Sequence, residues 1–218
     1  MLSSQRSAAL EQYRARANFY DFELALLEPM RVQAIASLDL RPGETVLDIG
    51  CGTGLSFEAL HAGVGARGRI VGVEQCPEML EQARQRVARH GWKNLSLLCA
   101  PAESAKLSAK ADAALFHFTH DILRQPEAIA NVLRHLKPGA RVVASGLKWV
   151  EPWGWPLNFF VLAAALHSMT TLEGLAQPWD RIAAQLNGLK LQATLGGGGY
   201  IASGVARGQK PALKSQAA

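Results

Sequence analysis

The sequence predicts an α/β protein whose doubly wound, mostly parallel sheet has seven strands. Short apolar runs alternate with helical patterns from about residue 40 onward, and this alternation favours parallel strands joined by crossover helices. A glycine-rich turn separates the first apolar run from the first of these helices. The last two runs are separated only by the four glycines 196–199, which predicts a closing hairpin and one antiparallel edge strand.

The elements follow in order along the chain. Helices are predicted over 3–19 and about 22–38, the second bent at Pro29 because a proline ring disrupts the helical hydrogen bonds. Residues 41–44 form a turn into the first strand. The seven strands are predicted at 46–49, 69–74, 95–99, 112–117, 141–146, 189–195 and 200–206. The helices between them are predicted at 55–60, 77–90, 125–136 and 179–186, and the sequence Lys137-Pro138-Gly139 ends the third of these.

The turn after the first strand is the most specific motif in the chain. Gly50, Gly52 and Gly54 follow Asp48 with the spacing D-x-G-x-G-x-G. Glycines let the backbone turn sharply and approach a ligand closely, and a strand–turn–helix unit of this kind holds nucleotides. The dinucleotide fingerprint G-x-G-x-x-G does not fit, because its third glycine would fall at Leu55. A turn that only joins strand to helix is the alternative.

At these residues the chain resembles the class I S-adenosylmethionine-dependent methyltransferases, over roughly residues 40–206. The resemblance implies S-adenosyl-L-methionine as cofactor, whose sulfonium and amino-acid end favour carboxylates and carbonyls over a phosphate cradle. It also implies a set of cofactor-binding residues. These are Tyr20, Asp48, Gly50, Cys51, Gly52, Gly54, Glu74, Gln75, Met79, Ala102, Glu103 and Phe116.

Three of these residues have individual arguments. Glu74 ends the second strand, where a carboxylate can accept both ribose hydroxyls. Met79 is implied near the adenine and is equally consistent with a core position on an amphipathic helix. Glu103 is implied at the adenine amino group, and a helix-start acid favoured by the helix dipole is the alternative.

Residues 13–21 carry a second, narrower resemblance. Their pattern Y-x-x-x-A-x-x-Y-D is similar to that of ubiquinone/menaquinone and bacterial phosphatidylethanolamine methyltransferases. Tyr13 and Tyr20 lie seven residues apart, on a similar face of a helix. They are predicted to fold over the cofactor, with Tyr13 toward the acceptor, or to anchor the helix on the core.

An apolar segment at 148–172, inserted after the fifth strand, is predicted to form a cap. It contains Trp149, Trp153 and Phe159, which are candidates for contact with an acceptor, in a place where α/β proteins bind ligands. A hydrophobic lid is one interpretation. The others are peripheral membrane contact through residues 153–170 and a dimer contact or buried cap.

Two histidines after the fourth strand are candidate general bases. His117 and His120 titrate near neutral pH when unperturbed and follow the strand end that faces the methyl group in this fold. Structural roles are the alternative, with Asp121 capping the next helix. No metal site is predicted, because adjacent ligands at one strand end are a weak pattern.

Composition agrees with a single compact domain. The chain has 218 residues, 49% of them apolar and 19% charged, and this excludes global disorder. Residues 1–206 are predicted as one methyltransferase domain with an N-terminal helical lid at 1–39, and 207–218 as a flexible tail. Three cysteines without a C-x-x-C motif indicate neither disulfides nor zinc. No signal pattern or membrane-spanning run is present, so a cytoplasmic location is expected.

The net charge of +5 comes from scattered basic residues, so no stable nucleic-acid partner is expected. The function predicted is methyl transfer (EC 2.1.1.-) to a small apolar or aromatic acceptor, with O- or S-methylation weakly favoured, by a monomer or homodimer. Four alternatives stay open: methylation of a lipid or quinone precursor at a membrane surface, a nucleic-acid substrate, an inactive cofactor-binding regulator and an NAD enzyme.

Overall fold

The computed structural model describes residues 27–108, 110–150, 154–168 and 171–207. They form one seven-stranded sheet in the order β3-β2-β1-β4-β5-β7-β6, which confirms the predicted fold class. The strands are β1 Thr45–Ile49, β2 Arg69–Glu74, β3 Leu95–Cys99, β4 Ala111–His117, β5 Leu136–Leu147, β6 Leu186–Thr194 and β7 Gly199–Ala206. The helices are α1 Glu28–Ala36, α2 Phe57–Val64, α3 Pro77–His90, α4 His120–Leu123, α5 Pro126–Arg134, α6 Trp155–Ser168 and α7 Asp180–Ala183.

Strands β1 to β5 pair in parallel, and the antiparallel pairing is confined to one edge of the sheet. Strand β7 is antiparallel to both β5 and β6, so it lies second from the edge and β6 is outermost. The predicted glycine hairpin joins β6 to β7 through a short 3₁₀ turn at Leu195–Gly197.

The central parallel strands β1 and β4 are buried on both faces, as is usual for parallel sheets. Alternate side chains of β1 point to opposite faces: Val46 joins one apolar cluster with α1, α2 and α3, and Leu47 joins another with α5 and α7. The carboxyl ends of β1, β2 and β4 therefore open between two layers of helices, where the glycine turn lies.

Several element boundaries differ from the sequence predictions. Pro29 lies in the first turn of α1, where the helix needs no proline N–H, and residues 22–26 of the helix predicted over 22–38 lie outside the described residues. The predicted helix ending at 136 stops at Arg134, and β5 begins at Leu136, which pairs with Ala111 before a bulge interrupts the ladder. Strand β6 likewise begins at Leu186, before a register shift, and not at the predicted residue 189. The helix before it, α7, ends at Ala183 and not at the predicted residue 186.

The segment predicted to form the cap contains helix α6. Its inner face packs into a small apolar cluster of Leu147, Val161, Ala165 and Leu175, here called the cap cluster. Its outer face exposes Phe159, Phe160 and Leu166. Within the described residues, no helix is both long and apolar enough to cross a membrane.

Candidate functional site

The glycine turn joins β1 to α2 in a conformation that only glycine adopts easily. Gly50, Gly52 and Gly54 all have positive φ, at 70°, 55° and 82°. The N–H groups of Gly50 and Cys51 both donate to the carbonyl of Val73, at 2.8 and 3.0 Å, which ties the turn to β2. The backbone is therefore held open above the strand ends without side chains filling the space.

Glu74, at the end of β2, fixes the other side of this turn. Its Oε2 accepts the Gly52 N–H at 3.1 Å, and its Oε1 accepts the Cys76 N–H at 2.8 Å. Burial raises the pKa of this carboxyl, and the backbone N–H groups partly oppose that rise. Each carboxylate oxygen keeps a further lone pair, so Glu74 can still accept hydrogen bonds from a ligand.

A first cavity lies between the glycine turn, the end of β2 and α4. Seven of the twelve predicted cofactor residues line it: Gly50, Gly52, Glu74, Gln75, Met79, Ala102 and Glu103. Asn131 of α5 supports one wall by donating to the carbonyls of Ala102 and Ala105, at 2.6 and 3.0 Å. The wall formed by this loop is thus fixed by a buried side chain that the sequence analysis did not single out.

A second cavity lies on the opposite side of the same turn. It brings together Asp48 and Cys51 with Arg31 of α1 and His117 of β4. The pleat explains this meeting: Asp48 shares a sheet face with Val46, and His117 shares it with Leu115, two residues in the cluster that packs against α1. Gly50 and Phe118 line both cavities, so the two meet there.

Asp48 is the most unusual group in the second cavity. It is 2% exposed, and its Oδ2 has no hydrogen-bond partner among the described residues. Burial raises the pKa of this carboxyl to about 7, with Arg31 opposing the rise and Glu74 adding to it. A buried carboxyl oxygen without a partner is costly, so this site fits a ligand that brings a hydrogen-bond donor or a positive charge.

His117 faces the same cavity and is a weak base. Its Nδ1 lies 2.7 Å from Ser145 Oγ on the neighbouring strand, where the two residues are in register. Burial, together with the charge of Arg31, lowers the pKa of this imidazole to about 3. The ring is therefore neutral at physiological pH and has little tendency to take up a proton.

The second candidate base, His120, lies elsewhere and lines neither cavity. It is 4% exposed, and its Nε2 donates to the carbonyl of Glu173 at 3.0 Å. Burial lowers its pKa as well. The structure therefore places His120 at a junction with the segment that follows the cap.

Phe116 is also placed away from both cavities, fully buried in the sheet core. The aromatic ring at the site belongs instead to Phe118, whose φ is +55°. Positive φ is strained for a bulky residue, and such strain concentrates at functional sites. Phe118 packs edge-on to His117 and against the cap cluster, so it connects the cavities to the cap.

The remaining predicted site residues are dispersed. Gly54 lines neither cavity and makes room for the Phe57 ring, which a Cβ would meet at 2.3 Å. Trp149 packs against the cap cluster, and Phe159 is 66% exposed on the outer face of α6. Tyr13, Tyr20 and Trp153 lie outside the described residues.

Sequence analysis missed several cavity residues. They are Arg31, Thr53, Leu55, Ser56, Val73, Ala100, Phe118, Thr119, Asp121, Ile122 and Gln125. Residues 118–125 directly follow the carboxyl end of a parallel strand, and that position alone is a signal for ligand contact. Arg31 carries no such signal, because it reaches Asp48 only through the packing of α1 on the sheet.

Comparison with known proteins agrees with this geometry. Residues 46–139 match a family described as Methyltransferase domain. Aklanonic acid methyltransferase DauC from Streptomyces sp. is 27% identical over 144 residues, covering 64% of this chain and 65% of that protein. Malonyl-[acyl-carrier protein] O-methyltransferase from Anoxybacillus flavithermus is 30% identical over 117 residues, covering 54% of this chain and 43% of that protein.

A shorter match involves the 23S rRNA (uracil(1939)-C(5))-methyltransferase RlmD from Shewanella amazonensis, which is 43% identical over 86 residues. This match covers 39% of this chain and 19% of that protein. The chain thus spans less than two thirds of the length of each of these three relatives.

A solved structure has the same fold. It is N-methyltransferase NodS from Bradyrhizobium japonicum in complex with S-adenosyl-L-homocysteine, with a TM-score of 0.65 at 16% identity over 91% of this chain and 97% of that one. The domain match over residues 46–139 and the shared fold agree with the predicted class I methyltransferase core.

Proposed function

We propose that this chain, built on the core of a class I S-adenosylmethionine-dependent methyltransferase, methylates an oxygen of a small apolar or aromatic acid. Methylation of sulfur is the weaker alternative. When bound, S-adenosylmethionine supplies a methyl group on a positively charged sulfur, and its transfer to an acceptor lone pair returns the carbon–sulfur bonding electrons to that sulfur. The observation that carries the proposal is the meeting of the two cavities at Gly50 and Phe118, beneath the cap.

The charges around the two cavities fit the two ends of this cofactor. Asp48, buried and without a partner at Oδ2, suits an ammonium group, and Arg31 in the same cavity suits a carboxylate. Glu74 suits the ribose hydroxyls, while Met79, Ala102 and Glu103 belong to the other cavity and suit the adenine. This division assigns the amino-acid end to the second cavity and the nucleoside to the first.

An acid is favoured as acceptor because His117, the predicted base that lines the second cavity, is a weak one. His117 is neutral and has a pKa of about 3, so it would deprotonate a phenol or alcohol poorly. A carboxylate is already ionised at neutral pH and needs no base. The printed names of the relatives DauC and the malonyl O-methyltransferase agree with an acidic substrate class.

The apolar part of the acceptor is assigned to the cap side of Phe118. Phe118 packs against the cap cluster, and Trp149 and Leu172 border the same cluster. Apolar walls near a transfer site exclude water and orient an apolar substrate. A cytoplasmic location, peripheral membrane contact of the cap, the monomer or homodimer state and kinship with the ubiquinone and phosphatidylethanolamine group stay predictions.

The first experiment is calorimetric titration with S-adenosylhomocysteine, using NAD as control. Micromolar binding of the first and none of the second is expected, and the reverse result would contradict the cofactor assignment. Turnover is then measured as release of S-adenosylhomocysteine with a panel of matched aromatic acids, phenols, thiols and amides. Preference for the acids is expected; turnover with the phenols alone would instead require a base.

The same panel separates the alternatives from other classes. An inactive cofactor-binding regulator would bind S-adenosylhomocysteine and turn over none of the compounds. A nucleic-acid methyltransferase would bind tRNA or rRNA with an affinity that falls steeply with salt. We expect no stable nucleic-acid complex at physiological salt, since the basic residues are scattered.

A further inference from the structure

Helix α4 and its two flanking residues lie between the glycine turn and the segment that returns from the cap. On one side, a Cβ at Gly50 would lie 2.5 Å from Thr119 Cγ2. On the other side, a Cβ at Gly174 would lie 2.6 Å from the Cζ and Nη1 atoms of Arg124. A Cβ at either position would require the Thr119 or Arg124 side chain to shift, so α4 and its flanking residues are packed closely from both directions.

Polar bonds reinforce the contact on the cap side. We call residues 172–180 the return segment, since it leads from the cap back to α7. Arg124 donates from Nη1 to Asp180 Oδ1 at 2.7 Å and from Nη2 to Glu173 Oε1 at 3.4 Å. His120 donates to the Glu173 carbonyl at 3.0 Å. The Arg124 side chain is 13% exposed, whereas those of Asp180 and Glu173 are 45% and 75% exposed. Solvent therefore screens both ion pairs, and it is their geometry that links α4 to the return segment.

The other face of the return segment forms part of the cap. Leu175 is 1% exposed and packs in the cap cluster with Val161 and Ala165 of α6. Its carbonyl accepts the Trp149 N–H at 2.9 Å. One short segment is therefore bonded both to α4 and to the cap.

The same region of α4 lines the first cavity. Thr119, Asp121 and Ile122 all face the space assigned to the nucleoside, while His120 and Arg124 point to the return segment. A change in α4 on cofactor binding would thus be passed to the cap through a contact that is tight on both sides.

We propose that His120 and Arg124 are positioning residues that fix the cap relative to the cofactor cavity. They touch neither cofactor nor acceptor, and they act through Glu173, Gly174 and Asp180 of the return segment. A second part of the proposal, which rests on the proposed function, is that these two residues also set the affinity for the apolar acceptor by positioning the cap. The coupling between the first cavity and the cap does not depend on the identity of that acceptor.

The test compares wild-type protein with Arg124→Met by hydrogen exchange, with and without S-adenosylhomocysteine. Without ligand, exchange in residues 155–168 is expected to be at least fivefold faster in the variant. In wild type, the ligand is expected to slow exchange in 155–168, and the variant is expected to lose this response while its Kd for the ligand stays within twofold. Arg124→Lys should restore part of the response because it keeps the charge near Asp180.

Lys137→Met is the matched control. It removes an ion pair with Asp112 at the opposite end of the strands and should leave exchange in 155–168 unchanged. If Arg124→Met does not fold, Asp180→Asn serves in its place and should change exchange in the same direction by a smaller factor. Unchanged exchange and an unchanged ligand response in a folded variant would overturn the proposal.

Steady-state kinetics test the part of the proposal that concerns acceptor affinity. For any aromatic acid that wild type methylates, Arg124→Met should raise KM at least fivefold with kcat within twofold. A fall in kcat with an unchanged KM would overturn this part. Failure of wild type to bind S-adenosylhomocysteine would contradict the proposed function, whereas the exchange comparison without ligand would still decide whether Arg124 positions the cap.

Discussion

Asp48 makes the unliganded protein sensitive to pH. Its folded-state pKa is raised to about 7 by burial, so folding favours the protonated form. The contribution of Asp48 to stability is therefore fully present below its unfolded pKa near 4 and is lost as pH rises toward 7 and above. We expect Asp48→Asn, which is neutral at every pH, to remove this dependence and to raise the unfolding free energy at pH 8.

The same substitution should weaken cofactor binding. Binding an ammonium group favours ionised Asp48, so wild-type affinity for S-adenosylhomocysteine should increase from pH 6 to pH 8 with release of a proton. Calorimetry in buffers of different ionisation enthalpy measures that proton. Equal proton release by wild type and Asp48→Asn would rule out Asp48 as its source.

Glu74→Gln tests the assignment of the ribose site. The amide keeps the shape of the carboxylate but only one of its two acceptor oxygens, so the N–H of either Gly52 or Cys76 loses its acceptor, and circular dichroism first checks that the variant is folded. Hydrogen bonds to a charged group contribute about 1.5 to 3 kcal/mol each, and we expect the Kd for S-adenosylhomocysteine to rise about tenfold or more in calorimetry. Glu58→Gln on the exposed face of α2 is the control and should leave the Kd unchanged; the same affinity in both variants would refute the assignment.

The positions of residues around the cavities were predictable from sequence where they depend on local spacing. Gly50, Gly52 and Glu74 come together because two strands and their turns are consecutive in the chain. Arg31 was not predictable, because it meets Asp48 only after α1 packs across β1. Phe118 was missed for a local reason: strand alternation places Phe116 in the core, and the positive φ that turns Phe118 into the site has no signature in a phenylalanine.

At the scale of elements, the glycine turn and α4 are built against each other. Gly50→Ala would combine a φ of 70° with a Cβ only 2.5 Å from Thr119 Cγ2. Gly43→Ala is a matched control, because its φ of 92° is similarly unfavourable but no atom lies within 4 Å of the added Cβ. We expect the control to lose about 1 kcal/mol in denaturant unfolding, and Gly50→Ala to lose more and to bind S-adenosylhomocysteine more weakly. Equal stability losses together with equal affinities would show that α4 does not pack tightly on the turn.

The limits of helices and strands were predicted well where hydrophobic periodicity is strong. They were predicted poorly where the pairing of one strand with another sets the boundary. Strands β2 and β3 have the predicted limits because their apolar runs are flanked by turn residues. Strand β5 starts earlier than expected because Leu136 pairs with Ala111 across a bulge that includes Gly139, and Lys137-Pro138-Gly139 alone is typical of a simple turn. Bulged pairing depends on the partner strand, which local sequence does not reveal.

At the scale of the whole molecule, the strand order locates the site. The chain moves outward from β1 to β2 and β3, then returns to β4 on the other side of β1. Connections leaving the carboxyl ends of β1 and β4 therefore diverge, and α/β proteins bind ligands at such a switch point. The two cavities open at this switch point. The cap, which is inserted after β5, contacts the cavities through Phe118, which packs against the cap cluster.

This arrangement makes ligand binding a global stabiliser, since the site joins elements from α1 to the return segment. A ligand at one hundred times its Kd stabilises the folded state by about 2.7 kcal/mol. For a chain of this length that corresponds to a rise in Tm of about 5 to 10 °C. S-adenosylhomocysteine should produce this rise in thermal unfolding, and NAD at the same concentration should produce none. Arg124→Met should start from a lower Tm and show nearly the same rise, because its cofactor affinity is retained; a rise confined to wild type would mean that Arg124 contributes directly to the cofactor site.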